Sequence, residues 1–489
     1  MPQSLPFSTP IPALAIELGE AFEHAGHELV LVGGSVRDLI LGKEDIPDLD
    51  FATDAHPEET TRILNRLTTT IWDTGARFGT ISAQMSDSAG EVYIVEVTTY
   101  RSEAYTAGDR HPDVEFGDDI NADLSRRDFT VNAIGIRVPS GELVDPFDGV
   151  ADMKRQVLRT PARPVVSFAD DPLRMMRLAR FVGVLGFQAD SEAIEAATAM
   201  ASQIETISAE RVRIELDKLI CGDYADRGLD LLCEVGIADV VLPELPALRM
   251  EHDPLHHHKD VYTHTLAVVM GCPGDDPILR MAALLHDIGK PATRAFHEDG
   301  SVSFHQHDIV GARMARHRLR ALTYPNQAIR EISELVRLHL RFHGYSDGEW
   351  TDSAVRRYVA DCGSEIQYRR LNLLTRADVT TRNKRKANRF ARAMDDLEAR
   401  VERLREQEAL DAVRPALDGG QIMAYLGLKP GREVGAIWNW LKDQALEYGP
   451  MSFDQAYGLL DEYAAAHGFT VVGERIDPKP PKEPKEPRS

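Results

Sequence analysis

The stretch LVGGSVRDLILGKEDIPDLDFAT, residues 31–53, narrows the folds open to this chain more than any other segment. Its apolar, β-branched lead over 28–34 predicts a strand, 35–42 a short helix and 48–53 a second strand. Residues two apart on a strand face the same side, so Asp48 and Asp50 present two carboxylates in one direction, a hard-oxygen pair that suits Mg²⁺. Gly33 and Gly34 let backbone approach phosphate oxygens closely, and Arg37, one turn into the helix, adds a fixed positive charge. The sum is a site for a triphosphate with Mg²⁺. The G-x-G-x-x-G of a dinucleotide fold and the G-K-[ST] of a P-loop are both missing here, which disfavours those two phosphate sites. By itself a D-x-D at a strand end more often marks turn or cap residues than metal ligands, so context has to separate the readings.

Further strands are expected at 92–100 and 142–147, which makes a small α/β head. Beyond about residue 165, apolar residues recur at three- and four-residue spacing in 171–187, 208–220, 259–270, 277–287, 308–320 and 328–341, and the chain reads as helical. At 489 residues it exceeds one compact core, and length suggests about three domains. The fold class expected is α+β multidomain, a small mixed-sheet head followed by all-α domains. Breaks fall near 243–256, 407–420 and 427–435, while DPKPPKEPKEPRS (477–489) is a proline-lysine tail with nothing to bury and is expected to be disordered.

No apolar run approaches the roughly 18 residues that span a bilayer, and the N-terminal segment has no basic leader. The expected compartment is the cytoplasm, with no membrane partner. Cys221, Cys233, Cys272 and Cys362 form no C-x-x-C pair and fit reduced thiols. With 56 basic and 78 acidic residues the net charge is −22, which on average repels a polyanion, so any nucleic-acid site has to be a local basic surface. RMMRLARF (174–181), SAERVRIEL (208–216) and TRNKRKANRFARAM (381–394) concentrate positive charge, although solvated helix faces would look the same.

The GG…DLD arrangement resembles motif A of the DNA polymerase β-like nucleotidyltransferases, and the whole stretch is similar to the class II tRNA nucleotidyltransferases that build the 3′-terminal CCA. Four more segments match that family in order: DLSRRDFTVNAI (123–134), DPFDGVADM (145–153), DDPLRMMRLARF (170–181) and SAERVRIEL (208–216). The resemblance implies Mg²⁺ held by Asp48 and Asp50, with a third carboxylate on a neighbouring strand for which Glu96 is the candidate; an outward polar residue on a half-buried strand is the plainer reading of Glu96. It implies that Arg126 or Arg127 contacts phosphate and that Asn132 helps hold the ribose. Asp171, Arg174, Arg177 and Arg180 recur every third residue, read as one side of a helix. In the family the aspartate and first arginine pair with the incoming base. Cytosine and adenine each show an amine donor beside a ring-nitrogen acceptor, complementary to a carboxylate beside a guanidinium. Where the family usually has Glu-Asp, this chain has Asp170-Asp171.

A second pattern lies between 246 and 410: YTHTL with His264, LLHDIGK with His286-Asp287, QHDIVGA with His307, LVRLHLRFH with His339 and His343, and TRADV with Asp378. Histidines mixed with aspartates on helices suit divalent metals held for phosphoester hydrolysis. This resembles an HD domain, in which His264, His286, Asp287 and Asp378 would form the basic metal site and His307 and His339 complete a second, with Mn, Ni, Fe or Mg bound; a relic helical platform is the alternative. HHH at 256–258 reads as a loop. Residues 419–456 are similar to the C-terminal region of bacterial CCA-adding enzymes and read as two amphipathic helices joined by a Pro-Gly turn; with 381–394 they would grip the tRNA elbow.

The expected organisation is a catalytic head at 1–160, a base-recognising neck at 161–245, an HD domain at 246–410, a tRNA-binding region at 411–472 and a tail at 473–489. The expected function is addition of C, C and A to the tRNA 3′ end from CTP and ATP. Competing readings are a poly(A) polymerase, an enzyme adding only CC or only A, and, from another class, an HD phosphohydrolase regulated by a nucleotide-sensing head. Oligomeric state is not legible in the sequence.

Overall fold

The computed structural model describes residues 10–43, 46, 48–87, 90–101, 116–250, 260–299, 301–342, 345, 350–379, 384–408, 415–449 and 451–475. The tail at 477–489, the histidines at 256–258, His343 and residues 381–383 lie outside them. Two compact units result: 1–284, 299–301 and 316–329 form the first, and 285–298, 302–315 and 330–489 the second.

The first unit opens with a seven-stranded mixed sheet. Its strands are β1 (Leu29–Val32), β2 (Asp48–Thr53), β3 (Ile71–Trp72), β4 (Thr80–Ser86), β5 (Val92–Thr99), β6 (Gly135–Val138) and β7 (Glu142–Val144), in the spatial order β3-β4-β5-β2-β1-β6-β7. Only β2 and β5 run parallel; the other neighbours are antiparallel. β1, LVLV, is buried at all four positions, as a strand covered on both faces should be. β4 and β5 instead alternate: Ile81, Ala83, Met85, Val95 and Val97 are buried, whereas Gln84, Ser86, Val92, Ile94 and Glu96 are exposed. One face of that end of the sheet is therefore open. The expected strands at 28–34, 48–53 and 92–100 and the helix at 35–42 are present; β3, β4 and β6 are additional.

Helices follow at Pro164–Asp170, Leu173–Leu185, Ser191–Met200, Ala209–Ile220 and Ala225–Glu234, with Leu173–Leu185 packed on the last two. Its buried side, from Met175 and Leu178 to Val182, supplies the apolar stripe. The second unit includes helices at Asp352–Cys362, Glu365–Asp378 and Lys384–Glu408 and three at Gly419–Leu426, Arg432–Tyr448 and Phe453–His467. The last three share a core of Leu417, Ile422, Tyr425, Ile437, Leu441, Tyr457 and Leu460, and two of them start in capping boxes, Asp418 with Gln421 and Ser452 with Gln455. Beside the two helices expected in 419–456, the third extends the bundle. The four cysteines form no disulfide, and among the described residues no helix is long and apolar enough to cross a membrane.

Candidate nucleotide-transfer cleft and candidate metal centre

In the first unit a cleft of about 420 Å³ is lined by Gly33, Gly34, Arg37, Asp48, Asp50, Arg127, Asn132, Arg177 and Arg180, among others. Gly33 has φ +74°, and a Cβ there would stand 2.9 Å from the Arg127 guanidinium, so glycine both permits the turn and leaves room for that cation. Ser35 ties the helix after the turn to β2: its hydroxyl donates to the Asp48 carbonyl (3.0 Å) and accepts from the Asp50 amide (3.2 Å). This fixes the aspartate strand against the glycine turn. Asp48 and Glu96 are exposed and Asp50 is half-buried; Asp50 stands beside Glu96 in the parallel ladder. Burial, then the charge of Glu96, pushes the Asp50 carboxyl up, with Asp48 adding to the rise and Arg127 opposing it. Carboxylates crowded in this way form a hard, anionic donor set that suits a divalent cation such as Mg²⁺.

A chain of ion pairs and hydrogen bonds crosses the cleft wall. Arg37 donates to Asp38 (2.9 Å) and to the side-chain Oδ1 of Asn132 (2.8 Å); the Asn132 side-chain Nδ2 donates to Asp128 (2.9 Å). Asp128 accepts from Arg177 (2.8 Å), and Glu215 pairs with both Arg177 (3.3 Å) and Arg180 (2.6 Å). The three guanidiniums of Arg37, Arg177 and Arg180 stand 5.4, 5.5 and 3.9 Å from the Phe181 ring centre. Against the cost of burial, the Arg177 charge and hydrogen bonds from Asn132, Arg177 and the Phe129 amide hold Asp128 below its ordinary value. Burial pushes Arg180 down to about 10, with Glu215 opposing and the neighbouring Arg177 assisting.

The spacing of Asp171, Arg174, Arg177 and Arg180 does not make a single stripe. Asp171 sits in extended backbone after the Pro164–Asp170 helix, with Pro172 before the next one, and so lies on neither. A three-residue step turns about 300° on a helix, which carries Arg174 and Arg180 to different sides. Asp171 accepts from the Leu173 amide (3.1 Å) and from Arg211 (2.8 Å), while Arg174 donates to the carbonyl (3.1 Å) and hydroxyl (2.9 Å) of Ser167 and to the Arg126 carbonyl (2.5 Å). Neither side chain lines the cleft, nor does Arg126, whereas Arg127 does, 3.3 Å from Asp123. The sequence reading gave no role to Ser35, Asp128, Phe181, Glu215 or Lys218, the last also a lining residue. The segment SAERVRIEL did flag the helix carrying Glu215, but not its partner 38 residues earlier.

In the second unit His286, Asp287, His307 and His339 are buried. One ligand atom each from Asp287, His307 and His339 lie within 4.8 Å of one another. His307 Nε2 is 3.4 Å and His339 Nε2 3.9 Å from Asp287 Oδ1; His286 Nε2 is 3.2 Å from Asp287 Oδ2 and 3.7 Å from Asp378. The Nδ1 atoms of His307 and His339 each lie 2.7 Å from a backbone carbonyl, of Phe304 and Val336. A carbonyl can only accept, so Nδ1 carries the proton and Nε2 is left as a lone pair facing Asp287. Both Nε2 atoms are buried without a hydrogen-bond partner among the described residues, a vacancy in bonding that a cation fits. Burial and the neighbouring His286 push His339 down to about 4. Gly289 permits this packing, because a Cβ there would sit 2.1 Å from the His307 carbonyl. His264 lies on the Val261–Gly271 helix of the first unit.

Paired aspartates on a mixed-sheet strand, tied to a glycine turn and sharing a cleft with half-buried arginines, define a nucleotidyltransferase head. "Poly A polymerase head domain" matches residues 29–159, "Probable RNA and SrmB- binding site of polymerase A" 186–248 and "HD domain" 256–400. An A-adding tRNA nucleotidyltransferase of Deinococcus radiodurans is 34% identical over 419 residues, 83% of this chain and 89% of that protein. The chain belongs to the tRNA nucleotidyltransferase family that contains the A-adding and CCA-adding enzymes. CCA-adding enzymes of Anoxybacillus flavithermus and Lactococcus lactis are 38% and 42% identical over 48% and 47% of the chain, which spans 57% and 55% of their length. In fold, the Bacillus stearothermophilus CCA-adding enzyme in complex with CTP aligns at a TM-score of 0.67 and 23% identity, over 95% of this chain and all of that one.

Proposed function

We propose that this chain adds C, C and A in turn to the 3′ end of tRNA, using CTP and ATP. The observation that carries the reading is the convergence of Asp48 and Asp50 with Arg37, Arg127, Arg177 and Arg180 on one cleft. Asp48 and Asp50, with Glu96 beside them, would hold Mg²⁺, which neutralises the triphosphate and lowers the pKa of the attacking hydroxyl. The 3′-hydroxyl oxygen attacks the α-phosphorus and pyrophosphate leaves. Arg37, Arg127, Arg177 and Arg180 bind the triphosphate, and Asn132, fixed between Arg37 and Asp128, orients the ribose. Asp171 and Arg174 read the base, the carboxylate accepting from the exocyclic amine and the guanidinium donating to the ring nitrogen. For that, Asp171 has to exchange Arg211, and Arg174 has to exchange Ser167 and the Arg126 carbonyl, for the base.

Residues 1–160 act as the catalytic head and 161–245 as the neck. The basic 381–394 stretch with 411–472 grips the tRNA elbow, in the cytoplasm. In 246–410, His264, His286, Asp287 and Asp378 hold one divalent ion, and His307 and His339 complete a second, for phosphoester hydrolysis. A second reading, addition of A alone, is favoured by the A-adding relative, of which the chain spans 89%. The test is incubation with tRNA transcripts ending before CCA, after C and after CC, each with single labelled nucleotides, beside an Asp48→Ala/Asp50→Ala control. Ordered C, C, A addition that stops there supports the first reading. Labelling only of the transcript ending in CC replaces it with the second, long A tails with a poly(A) polymerase, and no incorporation moves the activity to the HD centre.

A further inference from the structure

We propose that the open face of β3, β4 and β5 is the platform on which the nucleotides just upstream of the RNA 3′ end lie, with Trp72 as its stacking residue. This rests on the reading that the chain extends an RNA 3′ end. Partners directly across a β-ladder share a face, and the register aligns Asp50, Glu96, Ser82 and Trp72 in one row. The Ser82 hydroxyl donates to Glu96 at 3.3 Å, as that alignment requires. The next row runs Asp48, Ile94, Gln84. The metal-holding carboxylates thus continue, strand by strand, into a surface that is polar at its centre and apolar at its margin.

That margin is exposed. Trp72 is 42% exposed, Ile94 37% and Val92 53%, while Ile81, Ala83, Met85, Val95 and Val97 on the other face of β4 and β5 are buried. At the opposite end Arg101 donates to Thr80 Oγ1 at 3.5 Å, and the Arg77 guanidinium stands 4.5 Å over Phe78, itself 49% exposed. An exposed indole beside short polar side chains, with arginines at one end of the strands, suits single-stranded nucleic acid, because every base offers a π-face and every nucleotide a phosphate.

Distance supports the same occupant. Three inter-strand spacings put Trp72 about 14 Å from Asp50, roughly four stacked-nucleotide rises. A strand whose terminal hydroxyl is at Asp48 and Asp50 therefore lays a base a few nucleotides upstream against the indole. Stacking is indifferent to base identity, so the platform accepts tRNAs that differ there.

The test uses the full chain as Asp48→Ala/Asp50→Ala, which binds RNA without turnover, and a tRNA ending before CCA with 2-aminopurine at one of its last four nucleotides. Expected are quenching on binding, loss of quenching and about tenfold weaker RNA affinity in Trp72→Ala, and partial rescue in Trp72→Phe. Gln84→Glu, a surface change without a folding risk, is expected to weaken RNA binding several-fold at low salt, roughly as one added phosphate repulsion would. CTP affinity stays unchanged in all three, which reports an intact cleft. RNA affinity within about twofold of the parent in both Trp72→Ala and Gln84→Glu overturns the platform, including the case in which that face serves a protein partner. Failure of the parent reading looks different: the unsubstituted chain then incorporates no nucleotide into any RNA.

Discussion

The cleft of the first unit and the candidate metal centre of the second solve opposite problems with similar side chains. In the cleft, the buried carboxylates already face opposite charge: Asp128 has Arg177 and the Asn132 amide, and Glu215 has Arg177 and Arg180. The aspartates at its mouth are exposed or half-buried. In the second unit the order is reversed. The outer atoms of His307 and His339 are anchored on backbone carbonyls, and it is the inward Nε2 atoms that are buried and unpartnered. A site that exchanges a charged substrate at each turnover needs a wall that stands without it; a site that keeps an ion can leave its inner bonds to that ion. The second unit should therefore lean on its ligand for stability, and the first should not.

The widest separation is expected from Asp48→Ala/Asp50→Ala. Nucleotide incorporation should fall by at least about 10³-fold, about 4 kcal/mol of transition-state stabilisation, with the metal content of the second unit unchanged by elemental analysis. Loss of both together would break the independence of the two regions. Next comes the cleft wall: Glu215→Ala removes the buried carboxylate that pairs with two half-buried guanidiniums and should cost about 3 kcal/mol in denaturant unfolding, and raise KM for CTP by displacing Arg177 and Arg180. An unchanged midpoint would mean the wall does not depend on its paired charges. For the second unit, Mn²⁺ or Ni²⁺ at a hundredfold excess over its Kd should stabilise by about 2.7 kcal/mol. His307→Ala or His339→Ala should remove the second ion's share of that shift in thermal unfolding while leaving CTP addition intact. A metal-dependent shift left undiminished by both substitutions would place the second ion elsewhere.

How much of this could be read in the sequence depended on the range of each interaction. The aspartate strand, the glycine turn and the helical run after 170 rest on period and local backbone freedom, and they appear where they were expected. The position of Asp171 did not follow, although Pro172 marks a helix start directly after it; the three-residue recurrence was the weaker signal. Glu215 could not be read as the holder of Arg177 and Arg180, because that contact exists only once two helices pack. The histidine and aspartate set was visible from residue type alone. What primes it, the carbonyls of Phe304 and Val336, belongs to the backbone, and any residue in those places would supply the same atom.

The smallest effect is one of pH, and it tests whether the cleft wall is satisfied as a network or only pairwise. The folded value of Asp128 lies below its ordinary 3.8, so as pH falls the unfolded chain takes up a proton before the folded one does. The contribution of Asp128 is then complete above about pH 4 and is lost as pH falls through the folded value. Asp128→Asn should remove that acid-side slope from the stability curve and cost only about 1–2 kcal/mol at neutral pH, because Arg177 keeps Glu215 as a partner. Measured in the Glu215→Ala background, the same substitution should cost more than in the parent, since Arg177 then loses both carboxylates. Equal costs in the two backgrounds would show that Asp128 and Glu215 act on Arg177 separately, and the contrast with the ligand-dependent second unit would then rest on independent pairs instead of a connected wall.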